Sequence, residues 1–302
     1  DMTVSEAFEK IRKVGVNKET IYTCYVTENR KLIGVITVKD LFMADEDDKI
    51  ADIMETHIIS VDTLEDKEIV GHMFRKYDFL ALPVVDKDNR LVGIVTFDDA
   101  MDVMVEEATE DITKMAAINP SEKTYFNTST FAHAKNWIPW LLILMLTSII
   151  TGTIITKYED AFAAIPLLVS FIPMLMDTGG NCGSQSSTLI IRGIALNQVT
   201  FHDFFRVIWK EFRVSLIVGV VLAVANGLRI YLTYQQAGMA VVIALSLVAT
   251  VISAKLLGCI LPMCAKKIGL DPALMASPLI TTIVDASSIM IYFFIATKVF
   301  HL

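Results

Sequence analysis

The residue most loaded with chemistry is Asp285, a carboxylate in the middle of the apolar run PLITTIVDASSIMIY at 278–292. An ionised carboxylate at membrane depth costs on the order of 3 kcal/mol or more, so it must face a cavity, a partner or water. An anion would be repelled there and a hydrated cation attracted. Thr281 and Ser288 sit at i−4 and i+3, on the same helical face. Fourteen residues upstream, about 21 Å along a straight helix, Asp271-Pro272 reads as N-cap and first residue of that helix. Lys255, in a neighbouring apolar run, is the rival partner for Asp285.

A second constellation lies at 98–118, DDAMDVMVEEATEDITKMAAI. On one helix, Asp99, Asp102, Glu106 and Glu110 form a stripe at i, i+3, i+7 and i+11, with Glu107 and Asp111 beside it. Like charges at these spacings repel, so such a helix is favoured when a cation sits among them. A solvated acidic face is the plain alternative. Mg²⁺ suits oxygen-only ligands and keeps several waters, so it can bridge carboxylates on two elements, Asp271 among them. A third pattern, Gly-x-x-Thr-x-x-Asp, occurs twice, as Gly34/Thr37/Asp40 and Gly93/Thr96/Asp99. It fits a ribose held by hydroxyl and carboxylate, and equally a strand end followed by a capped helix.

The elements carrying these residues fall into two chemically distinct halves. Residues 1–125 hold 27 Asp/Glu against 15 Lys/Arg, and residues 126–302 hold 7 against 11. An acidic half repels nucleic acid and anionic lipid and favours metal cations. The four cysteines form no CxxC, which argues against a disulfide framework or a zinc site. LIGVITVKDLF (32–42) and LVGIVTFDDAM (91–101) repeat one another, each after a short β-like run, a turn-forming Asn (Asn29, Asn89) and an amphipathic stretch. The unit reads helix–strand–turn–strand–helix, with its first copy expected to be incomplete at the N-terminus. Repeat one is assigned to 1–55, repeat two to 56–103 and an acidic connecting helix to 104–133.

The remainder, 134–302, reads as an all-α bundle of five spans at about 137–157, 161–195, 207–234, 239–265 and 274–300. The second is interrupted by TGGNCGSQSS (178–187), whose glycines and polar groups are expected to free backbone carbonyls at membrane depth. Close helix packing through small residues is the alternative there. Arg192, Arg206, Lys210 and Arg213 in one loop, and Lys266 and Lys267 in another, place those loops and the acidic half in the cytoplasm, with the C-terminus outside. Snorkelling to the outer interface accounts for Arg229.

Taken together, a helix–strand repeat pair resembles a tandem CBS module, and GGNxGxQ, GLDPAL, PLxTTIxD and IYF behind it resemble the MgtE family of bacterial Mg²⁺ transporters or channels. That resemblance covers essentially the whole chain. It implies an inner-membrane homodimer that is not an enzyme, with an α/β CBS pair, a five-helix membrane domain and the ion path on the two-fold axis. It further implies Mg²⁺ at Asp285, path-lining positions at Thr281, Ser288, Ser277, Gly180 and Asn181, and sensor carboxylates at Asp78, Asp99, Asp102, Glu107, Glu110, Asp111 and Asp271. ATP at Thr37, Asp40, Thr96 and Asp99 would be a second cofactor. Family members usually carry a further acidic helical domain ahead of the CBS pair, which this sequence does not show. Competing readings are a broader Co²⁺/Mn²⁺/Ni²⁺ transporter and a non-transporting membrane metal sensor. An intramembrane aspartyl protease is disfavoured because the chain has no GxGD. CBS-regulated chloride channels and CorC-class transporters place their spans ahead of the CBS pair.

Overall fold

A computed structural model describes residues 2–121, 123–275 and 277–301, which divide into units at 1–108 and 109–302. In the first unit, helix α1 (Val4–Val14) opens with a capping box, Thr3 and Glu6 each accepting from the other's backbone N–H. Strands β1 (Thr23–Glu28) and β2 (Lys31–Thr37) pair antiparallel, with Thr23 opposite Thr37. Asn29 and Arg30 both take positive φ, 50° and 69°, the geometry a two-residue hairpin turn of matching twist demands. Helices α2 (Val38–Met43) and α3 (Ile50–Ile53) complete the first copy around Val4, Ile36, Leu41 and Ile50.

The second copy runs β3 (Val61–Asp62), α4 (Lys67–Tyr77), β4 (Ala81–Val85), β5 (Leu91–Thr96) and α5 (Phe97–Met115). β4 pairs antiparallel with β5 and parallel with β3, over a core of Val61, Val70, Phe74, Leu82 and Ala100. The two hairpins are stitched together at their turns: Leu32 N–H donates to Asn89 O (3.0 Å) and Leu91 N–H to Arg30 O (2.9 Å). The helix–strand–turn–strand–helix repeat is therefore present in both copies, and the acidic segment is a single helix over Phe97–Met115, starting earlier and ending well short of the 104–133 expected of it, since the next α-helix begins only at Thr130.

The second unit is helical: α6 (Thr130–Lys157), α7 (Glu159–Ala164), α8 (Ile172–Ala195), α9 (Phe204–Tyr234), α10 (Ala237–Lys267) and α11 (Ser277–Phe300). Among the described residues, four helices are long and apolar enough to cross a bilayer: Thr130–Lys157, Phe201–Tyr234, Ala237–Lys267 and Pro272–Phe300. The second of the five expected spans, α8, has 24 residues, about 36 Å at 1.5 Å per residue, so length suffices and hydropathy does not. α10 lies at the centre, packed by α8, α9 and α11, while α6 buries little of its apolar surface. Leu168, Leu175, Ile243, Leu247, Tyr292 and Phe293 form the main core, and Tyr292 OH donates to Leu168 O at 2.9 Å.

The expected break at 178–187 is absent; α8 is an unbroken α-helix through all ten residues. Its glycines serve close packing. A methyl added at Gly258 on α10 would collide with the Gly183 carbonyl, and one at Gly179 would lie 2.7 Å from Ser288 Oγ and 2.9 Å from a Thr250 methyl. Backbones that approach this closely admit no side chain between them. Asp271 caps something other than α11: its Oδ1 accepts from Ala273 N–H (2.8 Å), closing the 3₁₀ turn Pro272–Met275 ahead of that helix.

Candidate functional site

Asp285 is half-buried on α11, one side of it formed by Gly180 of α8, where an added Cβ would lie 3.8 Å from Asp285 Oδ1 and 3.1 Å from a Thr281 methyl. Asp177, one turn before Gly180, is within electrostatic reach of Asp285. Along α8, Asp177, Asn181, Gln185 and Thr188 recur at i, i+4, i+8 and i+11 and are all exposed. An otherwise buried helix thus turns one polar stripe outward, beside the carboxylate of the last span. Exposing such a stripe to hydrocarbon would leave polar groups unsatisfied, so it belongs against water or a second protein surface.

The flanking hydroxyls differ from one another. Thr281 Oγ1 is half-buried and donates to Pro278 O at 2.9 Å, on its own helix. Ser288 is 1% exposed, sealed against Gly179, so its side chain lies inside the subunit and not on an open face shared with Asp285. Its hydroxyl, like those of Ser246 and Thr250, is buried without a hydrogen-bond partner among the described residues. The side chain of Ser277 lies outside the described residues.

Lys255 is not the partner of Asp285. Its ammonium, on a side chain only 7% exposed, donates to Ser186 Oγ (3.2 Å) and lies 3.9 Å from Glu211 Oε2, to which Ser186 Oγ donates at 2.7 Å. One hydroxyl therefore joins a buried ion pair across α8, α9 and α10. Sequence reading missed this triad because its members are separated by tens of residues. The only hint was a lysine in an apolar run. Arg229 points its guanidinium towards Met174 Sδ at 3.8 Å and stays exposed.

On α5 the acidic stripe is partly neutralised by lysines. Lys114 Nζ lies 2.5 Å from Glu110 Oε1, one turn earlier, and 2.6 Å from Asp271 Oδ2. Burial works against the Lys114 charge, but the hydrogen bonds it donates to Asp271 and Glu110 outweigh that and hold the ammonium above the usual lysine range. Within the first unit, Lys67 sits 2.9 Å from Glu107 and 3.7 Å from Glu106. Asp99 and Asp102 are exposed, Glu107, Glu110 and Asp111 half-buried. Asp78 is exposed at the C-cap of α4 with a left-handed φ of 55°. Among the described residues no three His, Cys, Asp or Glu side chains converge as a ready metal cage. Hence the repulsion expected of this helix is relieved, in part, by the chain's own ammonium groups. The signal for Lys114 was present as a Glu-to-Lys i, i+4 pair. Asp271 and Glu110 still offer carboxylate oxygens converging on one cationic centre, a donor set that fits a hard, oxygen-seeking cation.

At the first of the two Gly-x-x-Thr-x-x-Asp segments the helix-capping alternative is realised, and at the second the hydroxyl and carboxylate bond to each other. Thr37 and Asp40 form a capping box, with Thr37 Oγ1 and Asp40 Oδ2 at 2.5 Å. The Thr37 hydroxyl, followed by its backbone N–H, holds the Asp40 carboxyl below the usual range. Thr96 Oγ1 donates to Asp99 Oδ2 at 2.9 Å. The glycines are not equivalent: a Cβ at Gly34 would collide with Met54, whereas one at Gly93 would meet nothing within 4 Å.

Comparison with known proteins adds a lineage to this geometry. The model of a family described as MgtE, divalent cation transporter, matches residues 172–295, and that of the CBS domain matches 1–47 and 50–106. Magnesium transporter MgtE of Bacillus subtilis is 38% identical over 300 residues, covering 99% of this chain and 66% of that protein. The protein of the same name from Thermus thermophilus is 38% identical over 296 residues, 98% of this chain and 66% of that one. The chain thus spans about two thirds of the length of these relatives. A solved structure, the cytosolic domain of the Mg²⁺ channel MgtE in complex with ATP, is 45% identical over 34% of this chain and 42% of that chain, at a TM-score of 0.33.

Proposed function

The chain belongs to the MgtE family of divalent cation transporters, and we propose that it carries Mg²⁺ across a bacterial inner membrane under control of its own acidic helix. One observation carries this reading: a half-buried carboxylate, Asp285, stands in the last span beside the outward polar stripe Asp177–Asn181–Gln185 of α8. Two such faces meeting across a two-fold axis would enclose a polar path with paired Asp285 carboxylates, which favours a divalent over a monovalent cation. Mg²⁺ surrenders its hydration shell reluctantly, so hydroxyl and amide groups such as Asn181, with the small Gly180, suit passage of a water-clad ion. Thr281 belongs to the same lining. Ser277, the first residue of α11, would stand at the inner end of the path.

The homodimer, a cytoplasmic acidic half and an external C-terminus are parts of the same proposal. The orientation rests on the basic loops at 192–213 and 266–267. So is control by cytosolic Mg²⁺. Asp78, Asp99, Asp102, Glu107, Glu110, Asp111 and Asp271 would hold the regulatory ions, and filling them lowers the self-repulsion of α5 and biases the pore towards closure. In each of the Thr–Asp pairs at 37/40 and 96/99 the two side chains are hydrogen-bonded to each other, so ATP would bind there only by replacing those bonds.

Purified protein in liposomes loaded with a Mg²⁺ indicator tests the transport reading, with Co²⁺, Mn²⁺ and Ca²⁺ offered in parallel. Asp285→Asn should reduce Mg²⁺ flux at least about tenfold while the protein elutes unchanged from a sizing column. Undiminished flux removes Asp285 from the path. No flux from the unaltered protein favours a metal sensor.

A further inference from the structure

We propose that the Lys114 ammonium is a built-in occupant of the cation position between Glu110 and Asp271, and that a divalent ion binds this joint only by displacing it. The inference rests on the Mg²⁺-regulated reading above and names a competitor within that control.

The ammonium is held from two sides. Glu110 lies one turn earlier on α5, its Oε1 at 2.5 Å. Asp271 comes from the turn ahead of α11, its Oδ2 at 2.6 Å, while its Oδ1 is committed to the Ala273 N–H. The carboxylate therefore cannot swing away from the lysine without uncapping the 3₁₀ turn. Met115, the next residue, packs with Ile191 and Ala273 and anchors the end of α5 to α8 and to that same turn. The Lys114, Glu110 and Asp271 side chains are 23%, 36% and 32% exposed, so the joint is reachable by ions from water yet shielded enough for its charges to be felt.

A lysine carries one charge on a flexible stem, and it presents its donors at a high local concentration because it is tethered. A hydrated divalent ion brings two charges and seeks the same oxygens. The two cations repel, so occupancy is exclusive. At low divalent concentration the ammonium offsets part of the charge of the two carboxylates. At high concentration the ion takes them and releases the lysine. The lysine thereby raises the concentration at which the joint responds. Displacing two charge-assisted hydrogen bonds, partly offset by rehydration of the ammonium, sets that rise at roughly tenfold.

The test is hydrogen–deuterium exchange of the α5 segment at 109–115 in the full chain in nanodiscs, titrated with Mg²⁺. Unaltered protein should show protection rising to a midpoint. Lys114→Met should start less protected without Mg²⁺ and reach its midpoint at about one tenth of the concentration. Lys114→Arg, which keeps the charge, should stay close to the original midpoint, and Lys114→Gln substitutes for the Met variant if that one fails to assemble. A Met or Gln variant whose midpoint is unchanged or higher overturns the proposal and leaves Lys114 as a permanent structural pair. Flux separates the two levels of failure: active unaltered protein with unmoved midpoints overturns the lysine inference alone. Absence of both Mg²⁺ flux and Mg²⁺ protection overturns the transport reading and this one with it.

Discussion

Replacing Lys255 by Met should destabilise the membrane unit far more than its single charge suggests. Lys255 and Glu211 are 7% and 13% exposed, and Ser186 is 1% exposed. In K255M the Glu211 carboxylate loses the ammonium 3.9 Å away, and Ser186 Oγ loses the donor at 3.2 Å, but its own bond to Glu211 persists. Removing one member of a buried pair leaves an uncompensated charge and costs about 3–5 kcal/mol. For a unit of this size, 3 kcal/mol corresponds to a shift of about 6–12 °C in apparent Tm. E211Q should be comparably harmful, since it strands the ammonium. K255M/E211Q, with no net charge left inside, should recover much of the loss, giving a coupling of about 2 kcal/mol or more. The assay is thermal unfolding of purified protein followed by fluorescence-detected sizing, with all four proteins of the cycle in one detergent. Two outcomes refute the reasoning. K255M could melt with the unaltered protein, which would mean the site is wet and the pair weak. Alternatively the double variant could show the plain sum of the singles, which would mean the two charges are not coupled.

Two further predictions concern the repeat pair. Gly34→Ala should cost about 1–3 kcal/mol by forcing Met54 aside, while Gly93→Ala, with nothing within 4 Å of the new methyl, should be neutral or slightly stabilising; urea unfolding of the full chain, read by an extrinsic label in each repeat, distinguishes them. Thr37→Val removes the capping box of α2 and should cost about 1 kcal/mol at neutral pH. Because the folded-state Asp40 carboxyl titrates below its unfolded value, the part of this difference that comes from the Asp40 charge is full above about pH 4 and disappears as pH falls through the depressed value. A gap between Thr37→Val and the parent that widens on acidification would contradict that sign.

Short-range patterns were legible without coordinates. The internal repeat, the Thr37–Asp40 cap that was one of two readings, and the helical character of the acidic segment, though not its bounds, depend on residues within a few positions of each other, where spacing alone sets which side chains meet. Apolar runs marked five spans, and among the described residues four of them are helices long and apolar enough to cross, because hydropathy sums along one element. α8 shows where that logic stops. Its run 178–187 looked like a broken helix when scored against lipid, yet its glycines are filled by the backbones of α10 and the side chains of α11. The stripe it leaves outward is polar for a reason local hydropathy cannot express.

Composition and order by themselves determined that this is a paired α/β module followed by membrane-spanning helices, and that Asp285 must sit in the last of them. Tertiary structure decided which cation meets which carboxylate. Lys255 turns to Glu211 and Ser186 instead of Asp285, and Lys114 bridges to Asp271 from 157 positions away in the chain. Coulomb attraction falls with distance in space, not along the backbone. Pairings between helices therefore become visible only once packing has fixed the helices side by side.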